Sequence, residues 1–167
     1  MIVNKQTKRE IFSVHQKPVI ILFGNFKYVV SPSPNPSSIY DYKDFLLSNG
    51  VTTIVKLCRE KMYEELKDIN ILDIPIEDGS VPDIQEMKQW IDIIKKEKNN
   101  VNGIAVHCIS GLGRAPLFVC VGLIKVEKMG ALDAISLVRS KIPYALNSKQ
   151  LKFIFELEKT NNSCCIM

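Results

Sequence analysis

The stretch IAVHCISGLGRAP, residues 104–116, constrains the fold of this chain more than any other part of the sequence. A short apolar run ends at Cys108, and a loop containing Gly111 and Gly113 follows. An apolar helix is then predicted from Arg114 to Met129. A buried strand that turns through glycines directly into a helix is typical of proteins in which helices cover a parallel sheet.

The rest of the chain alternates in the same way between short apolar runs and longer helical patterns. The predicted strands are 19–23, 26–30, 51–57, 69–74 and 104–107, and the predicted helices are 39–49, 60–67, 84–98, 114–129, 131–140 and 148–159. We therefore predict an α/β fold with a four- to five-stranded, mostly parallel sheet flanked by helices on both faces.

One helix carries a clear start signal. Asp83, with Glu86 three residues later, predicts a capping box. The apolar face of that helix is predicted to contain Ile84, Met87, Ile91 and Ile94.

Length and composition indicate a single domain. The chain has 167 residues, of which 46% are hydrophobic and 24% are charged. We predict a flexible N-terminal arm over residues 1–17, a folded domain over 18–160 and a C-terminal tail over 161–167. No apolar run is long enough to span a bilayer, and the N-terminal residues lack the apolar core of a secretion signal.

Charge and cysteine content exclude several classes of protein. The net charge of +4 fits an anionic partner, but no dense basic run points to nucleic acid. Five cysteines, an odd number without a CxxC pair, argue against a disulfide framework and against a structural zinc site. We therefore expect a reducing compartment and no bound metal or cofactor.

The loop after Cys108 has the features of an anion cradle. Its backbone N–H groups can surround a tetrahedral oxyanion, and Gly111 and Gly113 permit the φ values that such a nest needs. The helix start adds its positive dipole end, and Arg114 offers a fork to two phosphate oxygens. The same field favours a nucleophilic thiolate at Cys108. This phosphate loop consists of Ile109, Ser110, Gly111, Leu112 and Gly113.

Other interpretations of the loop fit less well. A Walker loop would need a Gly-Lys-Ser/Thr sequence, and a dinucleotide fingerprint would need a third glycine where Pro116 stands. His107 is the immediate neighbour of Cys108, so it is poorly placed as the base of a cysteine protease; we expect it to bond the loop and help hold the thiolate. A buried cysteine on a glycine turn, without chemistry, is the remaining alternative.

HCISGLGRAP resembles the signature loop of the cysteine-based protein tyrosine phosphatases, and more narrowly that of the phosphatase of regenerating liver, or type IVA, subfamily. The matching segments include VTTIVKLC at 51–58, DIPIEDG at 73–79, LNSKQL at 146–151 and the terminal CCIM. The resemblance implies the compact fold of these enzymes and hydrolysis of phosphomonoesters through a phosphocysteine. It also implies that residues 73–79 form the acid loop.

The resemblance also assigns residues to roles. Cys108 is the nucleophile, Arg114 binds phosphate, and Asp78 is the general acid and base; Glu77 and Asp73 are nearby alternatives to Asp78. The acid loop departs from the subfamily because Ile74-Pro75-Ile76 replaces Trp-Pro-Phe, so we expect its closure to differ.

Three further cysteines and one alanine need separate explanations. Ala115 stands where most cysteine phosphatases have a hydroxyl that stabilises the departing sulfur, so we expect the intermediate to break down slowly. The resemblance implies a reversible disulfide between Cys58 and Cys108, against the alternative that Cys58 is a core residue. For Cys120 we expect a core position. Cys164 heads a C-terminal CaaX box ending in Met, which favours farnesylation by a prenyltransferase.

These features suggest where the protein works and with what. One farnesyl chain anchors weakly, so we expect Lys5, Lys8 and Arg9 to assist binding to the cytoplasmic face of membranes, with a cytosolic fraction remaining. The expected substrate is a phosphotyrosine protein or a related phosphomonoester. The resemblance implies a second role, binding cyclin M-type magnesium transporters. A phosphoinositide phosphatase ranks lowest because the phosphate loop has no lysine, and a homo-oligomer is neither indicated nor excluded.

Overall fold

A computed structural model describes residues 17–59, 64–100 and 103–163. The five strands are β1 (Val19–Phe23), β2 (Phe26–Pro32), β3 (Val51–Lys56), β4 (Asn70–Asp73) and β5 (Gly103–Cys108). The helices are α1 (Ile39–Ser48), α2 (Ile84–Asn99), α3 (Arg114–Lys125), α4 (Ala131–Lys141) and α5 (Ser148–Ser163), with a 3-10 turn at Glu64–Leu66. Of the last three residues of α5, only the backbone is described.

The strands form one sheet in the order β1-β2-β5-β3-β4. Only the β1–β2 hairpin is antiparallel; β5 runs parallel to both β2 and β3, and β3 runs parallel to β4. All six residues of β5 are buried, because it is the middle strand and both faces of the sheet are covered. The predicted α/β fold with a mostly parallel sheet is confirmed.

Two apolar cores lie on opposite faces of this sheet. The larger contains residues of α2, α3, α4 and α5 packed with sheet residues such as Tyr28 and Val106. The smaller contains Ile39, Tyr42 and Leu46 of α1 with sheet residues from the other face. Helix α3 is buried from Arg114 to Ile124 and is the central helix of the larger core.

The start of α2 is predicted correctly, and its apolar face is predicted in part: Ile94 is buried and Met87 packs against the larger core. Asp83 accepts a hydrogen bond from the Glu86 N–H at 2.8 Å, and the Glu86 carboxylate accepts one from the Asp83 N–H at 2.7 Å. Ile84, however, is 79% exposed. At about 100° per residue it lies about 80° around the helix from the buried Ile94. Trp90 fixes this rotation, because it is fully buried and its indole N–H donates to the Phe118 carbonyl at 2.6 Å.

Helix α3 ends at Lys125, so the predicted end at Met129 is wrong. Lys128 adopts a left-handed φ of 62°, and the Met129 N–H bonds the Leu123 carbonyl at 2.9 Å. This turn terminates the helix before Gly130. In the part of the chain that the structure describes, no helix is both long and apolar enough to cross a bilayer.

Candidate active site

Cys108 lies at the carboxyl end of the middle strand. Parallel strands end at the same edge of a sheet, and ligands of α/β proteins bind outside that edge. Pro32, the last residue of β2, is the register partner of Cys108. The Cys108 side chain is buried, with 1% of its surface exposed.

The phosphate loop depends on two glycines for different reasons. Gly111 has a φ of 70°, and a Cβ there would lie 2.9 Å from both Pro32 N and Ser31 C, so only glycine fits. Gly113 has a φ of −115°, which any residue adopts. The prediction that both glycines supply unusual φ values is therefore wrong for Gly113. The absence of a side chain at Gly113 instead leaves room for Gln150, whose Nε2 would be only 3.3 Å from a Cβ at that position.

Neighbouring segments hold the loop carbonyl groups away from the cradle. The Ile109 carbonyl accepts from the Ser33 N–H at 3.2 Å, and the Leu112 carbonyl accepts from the Leu146 N–H at 2.9 Å. Turning these acceptors toward flanking segments lets the loop amides face a bound oxyanion.

The Arg114 guanidinium is buried, and its nitrogen atoms differ in their partners. Its side chain is 4% exposed, and Nη1 donates to the Leu57 carbonyl at 3.2 Å and to the Ile76 carbonyl at 3.1 Å. Nη2 lies 3.2 Å from Asp78 Oδ1. Nε is buried and has no hydrogen-bond partner among the described residues. Nη1 thus anchors the plane, while Nε and Nη2 are available for the two-pronged oxyanion contact that arginine favours.

The structure brings Asp78, rather than the two other candidate acids, to the guanidinium. The Asp78 side chain is 85% exposed although it contacts Arg114, so it can reach both the site and solvent. Asp73 is instead paired with Lys56, with 2.9 Å between Oδ1 and Nζ. Glu77 is exposed, and no contact with the guanidinium is seen for it.

The isoleucines of the acid loop fill the space beside the sheet. Ile74 and Ile76 are 1% and 8% exposed, and both belong to the larger core. Their N–H groups bond the Lys56 carbonyl at 3.0 Å and the Leu57 carbonyl at 3.2 Å. The start of the acid loop is therefore held by apolar burial and backbone bonds.

The two remaining polar candidates lie where β3 and β5 end together. His107 is 1% exposed, and its Nδ1 is 3.9 Å from Cys58 Sγ. Cys58 is 2% exposed, and the preceding Leu57 N–H bonds the His107 carbonyl at 3.0 Å. Ala115 is fully buried in the first turn of α3, and Cys120 is a core residue of the same helix, as expected. Cys164, Lys5, Lys8 and Arg9 lie outside the described residues.

Sequence reasoning missed two polar residues at this site. Asn147 Nδ2 donates to the Gly79 carbonyl at 3.0 Å, and Gln150 Nε2 donates to the Ser80 carbonyl at 3.2 Å. The only signal for them was their place in the matched segment LNSKQL, which carries no indication of a partner. Among the described residues, no cluster of three or more histidines, cysteines and carboxylates is suited to a metal ion.

The chain can now be compared with known proteins. The family model "Dual specificity phosphatase, catalytic domain" matches residues 36–162. Protein tyrosine phosphatase type IVA 2 of Mus musculus is 33% identical, across 89% of this chain and 96% of its own length. Type IVA 3 of Homo sapiens is 30% identical, across 90% and 95%. The chain belongs to the protein tyrosine phosphatase type IVA family. It is therefore a phosphatase, and the sequence-based assignment is confirmed.

Solved structures place this phosphatase in the same fold. A putative protein tyrosine phosphatase from Leishmania major superposes with a TM-score of 0.73 at 26% identity, covering 84% of this chain and 98% of its own. PTPMT1 superposes with a TM-score of 0.74 at 16% identity, covering 89% and 98%, and shows the fold alone.

Proposed function

We propose that this phosphatase hydrolyses phosphomonoesters, with phosphotyrosine proteins as the main class, through a phosphocysteine at residue 108. The Cys108 thiolate attacks phosphorus while the bond from phosphorus to the ester oxygen breaks. Asp78, protonated in this step, gives its proton to the leaving oxygen. Arg114 and the amides of the phosphate loop stabilise the equatorial oxygens.

The second half of the cycle regenerates the enzyme. Water attacks the phosphocysteine, Asp78 takes one of its protons, and Cys108 leaves as a thiolate as inorganic phosphate forms. Ala115 offers the departing sulfur no hydroxyl hydrogen bond. We expect this step to be slow and to limit turnover.

One observation carries the proposal: the buried Arg114 guanidinium beside the phosphate loop. Its Nη1 is fully engaged by the carbonyls of Leu57 and Ile76. Its Nη2 contacts Asp78 at 3.2 Å, and its buried Nε has no partner among the described groups. A buried cation with an unpartnered donor is costly unless an anion completes it, and a phosphoryl group supplies that anion.

Trapping the intermediate tests this mechanism. Mixing the protein with 4-nitrophenyl phosphate, quenching in acid and digesting should yield a peptide with one phosphate on Cys108. The peptide should be absent from Cys108→Ser. A wild-type protein that releases nitrophenol while no phosphate is found on Cys108 would refute the covalent route.

Ala115→Ser extends the same experiment to the slow step. The added hydroxyl should shorten the lifetime of the phosphocysteine and raise steady-state turnover by about tenfold, the worth of one hydrogen bond to a charged group. Nitrophenol release in the first turnover should be little changed. An unaltered lifetime would show that the residue after Arg114 does not control breakdown.

A reversible disulfide between Cys58 and Cys108 is proposed as protection against oxidation. Peroxide converts the Cys108 thiolate to a sulfenic acid and is itself reduced; the Cys58 thiol then displaces water to form the disulfide. The support is the position of both buried side chains at the adjoining ends of β3 and β5.

Binding to a cyclin M-type magnesium transporter is a second candidate function. Arg114 Nη2 already contacts a carboxylate oxygen, that of Asp78, which supports the idea that an acidic side chain of a partner can use the same cation. Phosphorylated Cys108 should block such a partner. Asp78→Ala should lower hydrolysis and leave the cation exposed to the partner, which separates the two functions.

We also propose farnesylation of Cys164, which would place the enzyme at the cytoplasmic face of membranes. A prenyltransferase would join the farnesyl group of farnesyl diphosphate to the Cys164 sulfur and release diphosphate. The CCIM terminus supports this, and the charges of Lys5, Lys8 and Arg9 would strengthen the attachment.

A further inference from the structure

Two amide side chains at the start of α5 bond the backbone directly after Asp78. Asn147 Nδ2 donates to the Gly79 carbonyl at 3.0 Å, and Gln150 Nε2 donates to the Ser80 carbonyl at 3.2 Å. Gln150 is fully buried and also lies against Gly113 of the phosphate loop. Asn147 and Gln150 therefore link the acid loop to the phosphate loop.

The two amides also lock each other in place. The Gln150 N–H donates to Asn147 Oδ1 at 2.9 Å, and Gln150 Oε1 accepts from the Asn147 N–H at 3.0 Å. This reciprocal arrangement caps the helix and fixes both Nδ2 and Nε2 toward the acid loop.

The segment that presents Asn147 is itself under backbone strain. Tyr144 and Leu146 have φ values of 66° and 73°, a left-handed backbone conformation that residues other than glycine rarely adopt. Arg139 holds this segment, because its Nε bonds the Ala145 carbonyl at 2.9 Å and its Nη2 bonds the Leu146 carbonyl at 3.3 Å. Strained backbone of this kind persists only where the surrounding structure enforces it, and it clusters at functional sites.

Asp78 thus lies between two tethers. On one side the Ile76 carbonyl accepts from Arg114 Nη1 at 3.1 Å. On the other, the carbonyls of Gly79 and Ser80 accept from Asn147 and Gln150. Gly79, the residue directly after Asp78, has a left-handed φ of 69°, a conformation that favours glycine.

We infer that Asn147 and Gln150 are positioning residues that clamp the acid loop so that the Asp78 carboxyl can protonate the leaving group. The inference rests on the proposed role of Asp78. It assigns to the start of α5 the task of holding the acid loop directly after Asp78.

Asn147→Asp is the variant that isolates this role. The carboxylate keeps the oxygen that caps the Gln150 N–H and favours the helix N-terminus, so the fold should be retained. It replaces the Nδ2 donor by an oxygen that repels the Gly79 carbonyl. Lys149→Ala, an exposed neighbour on the same helical turn, is the matched control.

The first measurement compares kcat/KM for phenyl phosphate, whose leaving group needs a proton, with that for 2,4-dinitrophenyl phosphate, whose leaving group does not. For Asn147→Asp we expect a loss of about tenfold on phenyl phosphate beyond any loss on the dinitrophenyl ester. Added negative charge repels both substrates alike, so it cancels in the ratio. In an Asp78→Asn background, adding Asn147→Asp should leave the ratio of kcat/KM on the two esters unchanged, because the proton donor is already absent. Equal losses on both esters would overturn the clamp.

The second measurement does not depend on activity. Amide hydrogen exchange of residues 77–82 should rise at least tenfold in Asn147→Asp, while exchange of residues 149–157 in α5 and of the Lys149→Ala protein stays as in wild type. Unchanged exchange in 77–82 would also overturn the clamp. A wild-type protein inactive on both esters would refute the proposed function, and the exchange result would still decide whether the clamp exists.

Discussion

Burial changes the acid–base behaviour of two side chains that take no part in the proposed chemistry. Burial raises the pKa of the Cys120 thiol to about 12. Burial also raises the pKa of Tyr42 to about 12, although the hydrogen bond from the Ser31 hydroxyl opposes part of this change. Both groups are therefore neutral at pH 7, and Cys120 is a poor nucleophile there.

These raised pKa values predict a loss of stability in alkali. Above about pH 9 for Cys120 and pH 10 for Tyr42, the unfolded chain ionises while the folded protein resists ionisation, so the free energy of unfolding falls until about pH 12. Guanidinium denaturation at pH 8, 9.5, 10.5 and 11.5 measures this decline.

The variant Tyr42→Phe provides the internal reference for that series. It removes one ionisable group and keeps the ring in the smaller core. Between pH 10 and 12 its free energy of unfolding should fall less steeply than that of wild type. Parallel curves would mean that the burial of Tyr42 does not resist ionisation.

At the scale of elements, the site exists because two strands end side by side. Lys56 of β3 is in register with His107 of β5, and the Leu57 N–H bonds the His107 carbonyl, which carries the chain on to Cys58 beside the end of β5. The hydrogen-bond register of parallel strands, rather than any local motif, thus brings the ends of β3 and β5 side by side, which supports the proposed pairing of Cys58 with Cys108.

This adjacency predicts the course of oxidation. Brief treatment with about one equivalent of hydrogen peroxide should give a Cys58–Cys108 disulfide, detected by mass spectrometry and reversed by dithiothreitol with full recovery of activity. In Cys58→Ser, Cys108 should proceed to sulfinic acid and lose activity irreversibly. Cys120→Ser should behave as wild type, because Cys120 is a core residue. Sulfinic acid on Cys108 in the wild type, formed without any disulfide, would contradict the pairing.

For the whole molecule, the sheet separates two cores, and the site lies at its carboxyl edge with loops from both sides. The segment 31–33 of one side and Leu146 of the other both bond the phosphate loop. The phosphate loop is therefore held by segments that pack on both faces of the sheet.

The proposed attachment to membranes combines Cys164 with the basic residues Lys5, Lys8 and Arg9. Replacing Lys5, Lys8 and Arg9 together by Gln should weaken binding of the farnesylated protein to vesicles containing phosphatidylserine by tenfold or more, at about 1 kcal/mol for each basic residue near the surface. Vesicle sedimentation at low and high salt measures this loss.

A control variant with the same change in net charge separates the effect of the N-terminal arm from the effect of net charge. Lys88, Lys95 and Lys149 are exposed on the described surface, and their joint replacement by Gln should leave binding near that of the wild type. If both triple variants bind equally well, the arm does not contribute. A C-terminal peptide without the mass of a farnesyl group would remove the basis for the attachment.

The sequence by itself determined those parts of the protein that depend on neighbouring residues. The strand that ends at Cys108, the glycine turn at Gly111 and the capping box of Asp83 and Glu86 are local, because each satisfies backbone geometry within a few positions. The alternation of predicted strands and helices also sufficed for the fold class, and the resemblance of HCISGLGRAP and four other segments indicated the family.

Only the tertiary structure decided how the site is held. Asn147 meets the Gly79 carbonyl across 68 positions of sequence, and the Arg114 guanidinium meets the Leu57 carbonyl across 57. The burial of Trp90 set the rotation of α2 and left Ile84 exposed, whereas apolar spacing alone placed Ile84 on the buried face. Such contacts follow from the packing of whole helices against the sheet, so local patterns predict that an acid and a guanidinium are present but not what holds them together.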